Sequence, residues 1–564
     1  MGTFRTLPEA LANAACVDAG YVFVAGDVEV RRSYAEIRET SLGIARALRE
    51  AGLRSGDLVA IVVNDAEQFL TTLLGAAISG IVPASLYPPA TSSDLPRYLE
   101  LTAGILRTAG ARAVVTSNGL VAGFEEMRRV CPDLRVVLSR DQLDAPPREP
   151  DSAPSLDDLA FVQFTSGSTS APKGVALTHR NLSANIDAIN GPNGLAVSAD
   201  DLGVSWLPLN HDMGLVGMAL GPIYCARPVV LLTPQAFVKR PAEWLRAISR
   251  YRATISFAPN FGYDLCVRRV KDRDLEGLDL SSWRVAGCGS EPIHAPTLAA
   301  FAERFRPVGF RETSLLPSYG LAEHVLAATF APRNRGPRVE QVPADNLTEG
   351  RVAIPVAGDD QPAVTLVSCG LSLPGHKVRV VDDQGRELSE RHVGEITLAG
   401  PSVMAGYYKD DDLTRRTVRK GWLHTGDLGY LSGGELFVCG RAKDVIIVNG
   451  RKYHPQDLEW GVEDLPGVRR GRVVAFGTTE SGAADRVVIV VERGGSVAPG
   501  ALRDAIRRRI ADLHGLYIDE VVLVPSGTVG RTTSGKLQRA AIKARYESGD
   551  LQTAAPVDQA ELPA

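Results

Sequence analysis

Two apolar patterns alternate along much of the chain, and this alternation restricts the possible folds more than any other feature. A capping box at Ser33 opens a helical pattern that ends at Gly52, and the continuous apolar run LVAIVV (58–63) follows it. The same order of helix and apolar run returns at 105–117 and at 244–259. Continuous apolar runs are typical of strands buried on both faces, as in parallel sheets covered by helices. The sequence therefore predicts an α/β fold.

The pattern changes from about Val378 onwards. KVRVVDDQGREL and GELFVCGR are typical of short hairpins with Gly or Asp turns, and after Gly440 the runs VIIV, VVAFG and VVIVVER predict further strands. The segment LRDAIRRRIADLHG is typical of an amphipathic helix, whose apolar side carries Leu502, Ile506, Ile510 and Leu513.

The length of 564 residues exceeds what one hydrophobic core usually serves, so the chain is expected to divide. We predict a large N-terminal domain over 1–440, with two α/β sheet subdomains and a β-rich subdomain at about 375–440. A small, mobile α+β C-terminal domain is expected over 441–548. The polar residues 549–564 have no hydrophobic period and are expected to be disordered.

Composition argues against several classes of protein. Apolar residues make up 45% and charged residues 23% of the chain, and the formal net charge of −4 provides no general attraction for nucleic acid. The seven Cys never form a C-x-x-C pair, which favours a reduced chain without a zinc site. The N-terminus lacks the pattern of a secretion signal, and the longest apolar stretches, 69–86 and 217–232, are interrupted. We expect a cytoplasmic protein without a membrane span and without a nucleic-acid partner.

The segment FTSGSTSAPKGV (164–175) concentrates hydroxyl side chains, Gly and one cation between two apolar runs. Small residues leave backbone N–H groups and hydroxyls free to surround a polyphosphate, and a Lys adds a positive charge. It is not a Walker A loop, because Pro172 stands directly before Lys173 where that motif requires Gly. The alternative is a flexible surface loop, since Ser, Thr and Gly are common in loops.

The order of residues in TSGSTSAPKGV resembles the phosphate loop of the adenylate-forming superfamily, which includes acyl-CoA synthetases, adenylation domains of peptide synthetases, luciferases and fatty acyl-AMP ligases. Six further blocks resemble that superfamily in the same order, and together they cover nearly the whole chain. They are SWLPLNHDMGLVG (205–217), GCGSEPI (287–293), SYGLAEHVLAATF (318–330), HTGDLGYL (424–431), GRAKDVIIVNGRKYHPQDLE (440–459) and RTTSGKLQR (531–539).

Within the superfamily, the chain is most similar to the fatty acyl-AMP ligase branch. LPLNHDMGL, GRKYHPQDLE and the segment PRVEQVPADNLTEGRVAIP (337–355) resemble that branch, and the last is similar to its characteristic insertion. Two positions depart from the family pattern. Asn210 stands where an aromatic residue is common and Cys288 where Asn is common, so the shape of the acyl or adenine pocket is expected to differ.

The resemblance implies a nucleotide site that is assembled from several blocks. Tyr319 would stack on adenine, Asp427 would bind the ribose hydroxyls, and Arg441 would bind sugar or phosphate oxygens. Taken singly, Asp427 is more typical of a turn and Arg441 of a surface. Glu323 would help bind Mg²⁺ together with Thr165. The remaining residues that would surround ATP are Ser166, Gly167, Ser168, Thr169 and Lys173 at the phosphates, and Gly289, Ser290, Glu291 and Gly320 near the base.

The resemblance also implies that Lys536, His211 and Glu323 are the catalytic residues and Lys443 the hinge. When a carboxylate attacks the α-phosphate of ATP, two anions meet, and a cation ~4 Å away contributes on the order of 4 kcal/mol at an effective dielectric constant near 20. Lys536 would supply this charge while Lys173 holds the departing pyrophosphate. After rotation about Lys443, Lys536 would withdraw and a thiol could enter.

The acyl pocket would be formed by the His211 block. His211 is more often a packed core residue, and Asp212 does not by itself indicate an amino-acid substrate, because the fatty acyl-AMP ligase branch carries HDMG as well. Apolar side chains for the pocket are available at Met213, Leu215, Val216 and Met218. The predicted acyl-site residues are His211, Asp212, Met213 and Gly214.

These observations predict ATP-dependent activation of a medium- or long-chain fatty acid to acyl-AMP, followed by transfer to the phosphopantetheine thiol of an acyl carrier protein. Three alternatives remain: a CoA acceptor, an aryl or other carboxylic acid, and a nucleotide- or acyl-adenylate-binding protein that has lost its chemistry. Two basic clusters are candidates for contact with an acidic carrier protein. One holds Arg469, Arg470 and Arg472, and the other holds Arg503, Arg507, Arg508 and Arg509.

Overall fold

The computed structural model describes residues 4–89, 95–165, 172–348, 351–356, 363–448, 451–478, 486–495, 497–532 and 535–551. Up to residue 165, helices and strands alternate as the apolar patterns predict. The elements of this part are α1 (Leu7–Ala14), β1 (Gly20–Ala25), β2 (Val28–Ser33), α2 (Tyr34–Glu50), β3 (Leu58–Val62), α3 (Ala66–Ile78), β4 (Val82–Ser85), α4 (Leu95–Ala109), β5 (Ala113–Thr116), α5 (Val121–Met127), β6 (Val136–Ser139) and β7 (Leu159–Thr165).

The middle of the chain also alternates, and it contains one π-helix. Its elements are β8 (Lys173–Thr178), α6 (His179–Asn190), β9 (Gly203–Ser205), the π-helix (Met213–Leu220), α7 (Gly221–Cys225), β10 (Val229–Leu232), α8 (Pro234–Lys239), α9 (Ala242–Tyr251), β11 (Ile255–Ala258), α10 (Asn260–Arg269), β12 (Val285–Cys288), α11 (Ala295–Phe305), β13 (Leu315–Gly320) and β14 (Ala327–Phe330).

Strands dominate the next hundred or so residues, and the last part mixes strands and helices. The elements are β15 (Val339–Pro343), α12 (Ala344–Thr348), β16 (Ala363–Ser372), β17 (Lys377–Val381), β18 (Gly394–Ala399), β19 (Gly406–Tyr407), α13 (Asp411–Thr417), β20 (Val418–Arg419), β21 (Trp422–Ser432), β22 (Glu435–Arg441), β23 (Ile446–Val448), β24 (Arg451–Tyr453), α14 (Pro455–Val462), β25 (Val468–Thr478), β26 (Arg486–Arg493), α15 (Pro499–His514), β27 (Glu520–Val524) and α16 (Arg539–Glu547).

The first large sheet has the strand order β19-β8-β7-β4-β3-β5-β6. Strands β3 to β7 run parallel, whereas β8 and β19 are antiparallel at one edge. The predicted phosphate loop connects β7 to β8, and the register places Thr165 opposite Lys173. Residues 166–171 lie outside the described part of the chain, so the structure describes the two ends of this loop.

The second large sheet combines a parallel half with an antiparallel half. Strands β9 to β13 and β1 run parallel where they pair with one another, whereas the β1–β2 and β13–β14 pairs are antiparallel. From β14 onwards the pairings are antiparallel. The remaining strands form a β23–β24 pair and a separate three-stranded sheet, β25–β26–β27. The predicted α/β fold, with two sheets, a β-rich part and a small α+β part, is confirmed.

The local signals that define the predicted helices have physical counterparts. At the start of α2, Ser33 Oγ accepts a hydrogen bond from the Glu36 backbone N–H, and the Glu36 carboxylate accepts one from the Ser33 backbone N–H. In α15, Leu502, Ile506 and Ile510 are buried as predicted, but Leu513 is 38% exposed. Leu513 lies in the last turn, and Gly461 of α14 beside it has no side chain to cover it.

Three buried tryptophans stabilise the parallel half of the second sheet. Trp244 contacts Trp206 and Trp283 edge-on, with ring centroids 6.1 and 5.1 Å apart. Two of the three indole N–H groups have a partner: Trp244 Nε1 donates to Ser256 Oγ and Trp283 Nε1 to the Val285 carbonyl. The buried Trp206 Nε1 has no partner among the described residues. The close packing of these large aromatic side chains makes this a rigid region. Across the described ranges, no helix is long and apolar enough to cross a membrane.

A buried ion pair secures the beginnings of β9 and β12. Arg284 Nε and Nη2 lie 2.8 and 2.6 Å from the two Asp201 oxygens, and Thr254 Oγ1 donates to Asp201 as well. Burial alone would raise the pKa of Asp201, but hydrogen bonds from Arg284 and Thr254 lower the pKa to about 2. Because the pKa of Asp201 is lower in the folded than in the unfolded protein, the ion pair stabilises the fold at pH values above the pKa of the unfolded state. This stabilisation is lost as pH falls towards 2.

We expect Arg284→Met to lower the free energy of unfolding by roughly 3 kcal/mol at pH 7, because it leaves a buried carboxylate without its partner. The loss should shrink as pH falls from 4 towards 2, where Asp201 becomes protonated. Urea denaturation followed by tryptophan fluorescence measures it. The double variant Asp201→Asn with Arg284→Met is the control, and it should lose less stability than Arg284→Met alone.

Candidate active site

One cavity of about 880 Å³ lies between the parallel half of the second sheet and the segment that follows β22. It brings together side chains that are far apart in the sequence. Lys173, Glu323, Asp427 and Lys536 all line it, as do His211 and Asp212. These residues belong to five of the predicted blocks, which therefore meet in one cleft, as a shared substrate requires.

Asp427 is held between a tyrosine and an arginine at one side of the cavity. The Tyr319 hydroxyl donates to Asp427 Oδ2 over 2.7 Å, and Arg441 Nε lies 3.2 Å from Asp427 Oδ1. The register of β21 and β22 places Asp427 directly opposite Arg441, so the two side chains are positioned by backbone pairing. Burial raises the pKa of the Asp427 carboxyl, and the Arg441 charge opposes this shift. The carboxylate can accept hydrogen bonds from a ligand that carries two hydroxyls.

Glu323 is positioned by Tyr407, a residue that the sequence patterns did not single out. The Tyr407 hydroxyl donates to Glu323 Oε1 over 2.8 Å, and Lys173 Nζ lies 5.4 Å from the centroid of the Tyr407 ring. Tyr407 reaches this place because β19 pairs with β8 directly after the phosphate loop. The signal in the sequence was the aromatic pair in AGYYKD, which is too short to distinguish from an ordinary turn.

The donor groups at this side fit a magnesium ion that arrives with its phosphates. Within the described ranges, no three His, Cys, Asp or Glu side chains come together to hold a metal. Mg²⁺ is commonly bound by one or two carboxylates together with substrate phosphates and water, so a dedicated cluster is not required. Glu323 supplies one such carboxylate in the cavity. Thr165 is the last residue of β7, and its side chain lies outside the part of the chain that the structure describes.

His211 and Asp212 form a polar pair at the entrance of the π-helix. His211 Nδ1 lies 2.7 Å from Asp212 Oδ1, and the Met213 backbone N–H donates to Asp212 Oδ1 over 2.7 Å. Burial would raise the pKa of Asp212, but the charges of His211 and Lys536 outweigh it, so the pKa is lowered. Asp212 is therefore an anion that faces the catalytic candidate Lys536.

Lys536 lies in the cavity with charges of both signs around it. Burial lowers the pKa of its ammonium group, and Arg441 lowers it further, while Asp212, Glu291 and Asp427 raise it. The backbone is held by Thr532, whose N–H donates to the Lys536 carbonyl over 2.8 Å and whose Oγ1 accepts from the Lys536 N–H. The loop that carries Lys536 is thus closed on itself and directs the side chain into the cleft.

Helix α10 is the surface on which the C-terminal segment rests. Gly535 has a φ of +88°, and a Cβ built on it would lie 1.8 Å from Phe261 Cε1, so only glycine fits. Arg531 Cζ lies 5.8 Å from the centre of the Phe261 ring, which permits a cation–π contact. Further along α10, Asp264 Oδ1 lies 3.4 Å from Nε of Arg470, a residue of β25.

Glu291 joins the same contact with its side chain. Glu291 Oε1 accepts a hydrogen bond from the Phe261 backbone N–H over 2.6 Å, and Glu291 Oε2 lies 3.9 Å from Arg531 Nη1. Burial raises the pKa of Glu291, and Arg531 opposes this. The family resemblance implies that Glu291 acts through its backbone, near the adenine base. The structure adds a side-chain role at the contact between the two parts of the chain.

The apolar side of the cavity runs along the π-helix. Met213, Gly217 and Met218 face Ile255 and Phe257 of β11 across it. The predicted pocket residues Gly214, Leu215 and Val216 are not part of this wall. Leu215 and Val216 are fully buried in the main hydrophobic core, and a Cβ on Gly214 would meet the Pro208 carbonyl at 2.3 Å. The wider turns of the π-helix point these residues away from the cavity, which helical spacing in the sequence does not reveal.

The cavity extends across the whole width of the parallel sheet. Ser290 and Asn260 line it where β12 and β11 have ended, and Asp201 and Arg227 line it just before β9 and β10 begin. Since parallel strands all point the same way, the first group lies at the carboxyl ends of the strands and the second at their amino ends, on opposite edges of the sheet. The cavity therefore continues from the Lys536 side to the far edge as a corridor with apolar walls.

The other predicted residues fall into three groups. Gly320, Ser290 and Lys443 line the cavity, whereas Gly289 packs against Ser318 below it. Lys443 lies in a short turn, Ala442–Asp444, between β22 and β23, where a hinge is expected. Of the two departures from the family pattern, Asn210 lines the cavity and Cys288 is buried at the end of β12. The predicted phosphate-loop residues Ser166, Gly167, Ser168 and Thr169 lie outside the described residues.

Comparisons with known proteins agree with this geometry. The family model described as AMP-binding enzyme matches residues 11–408, and a model described as Disco-interacting protein 2-like, AMP domain, matches residues 443–556. The chain belongs to the AMP-binding, adenylate-forming enzyme family, and it is a ligase of that superfamily with fatty acyl-AMP ligases among its relatives. The predicted family is confirmed.

Two relatives and one solved structure show how far the similarity extends. A Caulobacter vibrioides protein that carries the provisional name acyl-CoA synthetase is 38% identical, over 97% of this chain and 96% of its own. The medium-chain-fatty-acid–[acyl-carrier-protein] ligase JamA of Moorena producens is 34% identical, over 93% and 92%. A solved structure from work on fatty acyl-adenylate ligases of E. coli and L. pneumophila has a TM-score of 0.91 and 37% identity, covering 97% and 98%.

We expect Gly535→Ala to release the C-terminal segment from α10, because the added methyl overlaps Phe261 and the left-handed backbone disfavours alanine. Hydrogen exchange should rise at least tenfold at residues 531–551 and in α10. Gly527→Ala is the matched control, since Gly527 has a similar φ of +91° but open space around its Cβ position. Equal exchange in both variants would contradict a steric contact with Phe261.

Proposed function

We propose that this protein activates a medium- or long-chain fatty acid with ATP, forming acyl-AMP and pyrophosphate, and then transfers the acyl group to the phosphopantetheine thiol of an acyl carrier protein. The observation that carries the proposal is the presence of Lys536 in the same cavity as Asp427, Glu323 and Lys173. These groups come from opposite ends of the chain. A cavity that combined them without a nucleotide would enclose several buried charges for no chemical purpose.

The nucleotide is expected to bind at the Asp427 side. The Asp427 carboxylate, oriented by Tyr319 and Arg441, accepts hydrogen bonds from the two ribose hydroxyls. Lys173, at the end of the phosphate loop, attracts the phosphates. Glu323, with Thr165, would hold Mg²⁺, which neutralises phosphate charge when it is bound. Tyr407 keeps the Glu323 carboxylate turned towards this region.

In the first step, an oxygen of the fatty-acid carboxylate attacks the α-phosphorus of ATP, the bond to the bridging oxygen breaks, and pyrophosphate leaves. Lys536 lines the same cavity as Asp212 of the acyl block and Asp427 of the nucleotide block, and burial lowers the pKa of its ammonium group while both carboxylates raise it. Its ammonium group can neutralise the two anions that meet. At ~4 Å and an effective dielectric constant near 20, this contributes on the order of 4 kcal/mol.

The acyl chain is expected to occupy the corridor along the π-helix. Its walls are mainly apolar, and they include Met213, Met218, Ile255 and Phe257. Burial of each methylene contributes about 0.8 kcal/mol, so a corridor of this kind favours aliphatic acids over small polar ones. The name of the Moorena relative, which specifies medium-chain fatty acids, supports the same substrate class.

The choice of a carrier protein over CoA is supported by the segment 337–355, which resembles the insertion of the fatty acyl-AMP ligase branch. It forms β15 and α12, and buried Glu340 anchors it through Tyr430 at 3.0 Å and Arg391 at 3.2 Å. Asp345 of α12 lies 4.0 Å from Arg451 of β24, so the segment also contacts the C-terminal part. The provisional name of the Caulobacter relative favours CoA, which makes an acyl-CoA synthetase the second candidate.

We expect Lys536→Ala to slow acyl-AMP formation by two to three powers of ten, because the charge at the reacting phosphate is lost. Transfer from preformed acyl-AMP to the thiol should change much less. Pyrophosphate release and single-turnover transfer measure the two steps. Lys543→Ala is the control, since Lys543 lies near the surface of α16 beside Glu547. An equal loss in both steps would contradict the assigned role.

We expect holo-acyl carrier protein to be loaded at least tenfold faster than CoA, and loading to fall as salt is raised. In the first basic cluster, Arg469 and Arg470 are paired with Glu492 and Asp264. On α15, Arg508 is the exposed arginine of the second cluster, so Arg508→Glu should slow loading without slowing acyl-AMP formation. Mass spectrometry of the carrier protein, with CoA in a parallel reaction, distinguishes the two acceptors. Faster acyl-CoA formation would establish the second candidate.

A further inference from the structure

The far end of the corridor is polar, although its walls are apolar. Three residues of different elements line the cavity there: Asn190 at the end of α6, Cys225 at the end of α7, and Arg227 just before β10. Asp201, just before β9, lies at the same edge. This edge is opposite to the one where Lys536 and the nucleotide residues meet. A substrate that fills the corridor therefore brings its tail, and not its carboxylate, to these groups.

Asn190 lines the corridor with an amide whose nitrogen is already engaged. Its Nδ2 donates to the Gly221 carbonyl over 3.3 Å and to Cys225 Sγ over 3.6 Å, so the nitrogen is turned towards α7. Among the described residues, no group donates a hydrogen bond to Asn190 Oδ1. The amide orientation follows from these contacts, because exchanging oxygen and nitrogen would place two acceptors against each other at Gly221.

Arg227 supplies hydrogen-bond donors beside this acceptor. Its Nε donates to the Cys225 carbonyl over 3.0 Å and its Nη1 to the Ala199 carbonyl over 2.7 Å, which orients the guanidinium. Within the part of the chain that the structure describes, no carboxylate lies within 4.0 Å of Arg227. A guanidinium has five N–H donors, so these two bonds leave others available.

The remaining polar groups at this edge are already satisfied. Asp201 is engaged by Arg284, Thr254 and the Ser198 backbone N–H. The Cys225 thiol donates to the carbonyl of Gly221 over 3.4 Å, and burial raises the pKa of the thiol to about 11, so it stays neutral at pH 7. A ligand at this end therefore meets one acceptor, Asn190, and one set of donors, Arg227.

A terminal methyl group at this place would displace water from both polar groups without replacing its hydrogen bonds, which is unfavourable. A hydroxyl group can accept from Arg227 and donate to Asn190 at the same time. We propose that the corridor selects acids whose far end carries a hydroxyl group, with Asn190 and Arg227 as the residues that determine this specificity. This inference rests on the proposed function, because it takes the substrate to be an acyl chain activated at the Lys536 end.

The geometry also limits the chain length. The π-helix and α7 follow the corridor from Met213 to Cys225, which corresponds to at most about 18 Å at ~1.5 Å per helical residue. An extended chain of roughly a dozen carbons covers that distance. Shorter chains leave the polar end hydrated, and longer chains must fold back or project past Arg227.

The test compares saturated acids of increasing length with the ω-hydroxy acids of the same length, using kcat/KM for pyrophosphate release. Near a dozen carbons, the hydroxy acid should be preferred roughly five- to tenfold, the range expected for one or two added hydrogen bonds. Asn190→Leu, which keeps the side-chain size, should bring this ratio to one or below. Asn193→Leu is the matched control, because Asn193 is exposed in the loop after α6 and does not line the cavity.

The outcomes separate this inference from the proposed function. If no acid of either series releases pyrophosphate, the proposed function fails. If saturated acids are activated but are preferred over hydroxy acids at every length, or if Asn190→Leu leaves the ratio unchanged, the hydroxyl specificity is wrong. The matching α,ω-diacids should rank below the hydroxy acids because a carboxylate has no hydrogen to donate to Asn190 Oδ1, and a preference for diacids would overturn the assignment. If Asn190→Leu does not fold, the hydroxy-to-saturated ratio of kcat/KM is measured for Arg227→Gln and compared with that of the wild-type protein.

Discussion

The contact between Gly535 and Phe261 is the constraint on which the whole site depends. Phe261 stands edge-on to Trp206, with ring centroids 5.7 Å apart, and Trp206 belongs to the buried aromatic core of the second sheet. The position of Phe261 is therefore rigid. Gly535 packs on it with no side chain between them, and Lys536 follows immediately. A short, rigid chain of contacts thus sets where the ammonium group of Lys536 lies.

The cavity that this contact closes contains several charges in a partly desolvated space. Lys536, Arg441 and Lys173 face Asp212, Asp427 and Glu323 across it. Buried charges are costly unless they are paired, and here the pairs are completed by residues from different parts of the chain. Lys536 in particular reaches its anionic neighbours only when the C-terminal segment rests on α10. Docking of this segment and electrostatic neutralisation of Lys536 therefore depend on each other.

Local patterns predicted most of the fold because they act over a few residues. The capping box at Ser33 and the apolar run of β3 have the same consequences in any context that buries them. Prediction was weaker where helical geometry changes. The π-helix turns Leu215 and Val216 into the core. Met218, which was named from the sequence, lines the cavity, as does Gly217, which was not. Tyr407 and the side chain of Glu291 were missed for another reason, since their partners are distant in sequence and nothing near them indicates a role.

The sequence by itself determined the alternation of helices and buried strands, the order of the family blocks and the identity of the lysines and carboxylates available for chemistry. These follow from periodicity and residue type, which are local properties. Only the tertiary structure decided that Asp427 is held between Tyr319 and Arg441, that Gly535 must be glycine because of Phe261, and that the corridor along the π-helix ends at Asn190 and Arg227. Such relations join elements that are hundreds of residues apart, and their distances are set by how sheets and helices pack, which no local pattern encodes.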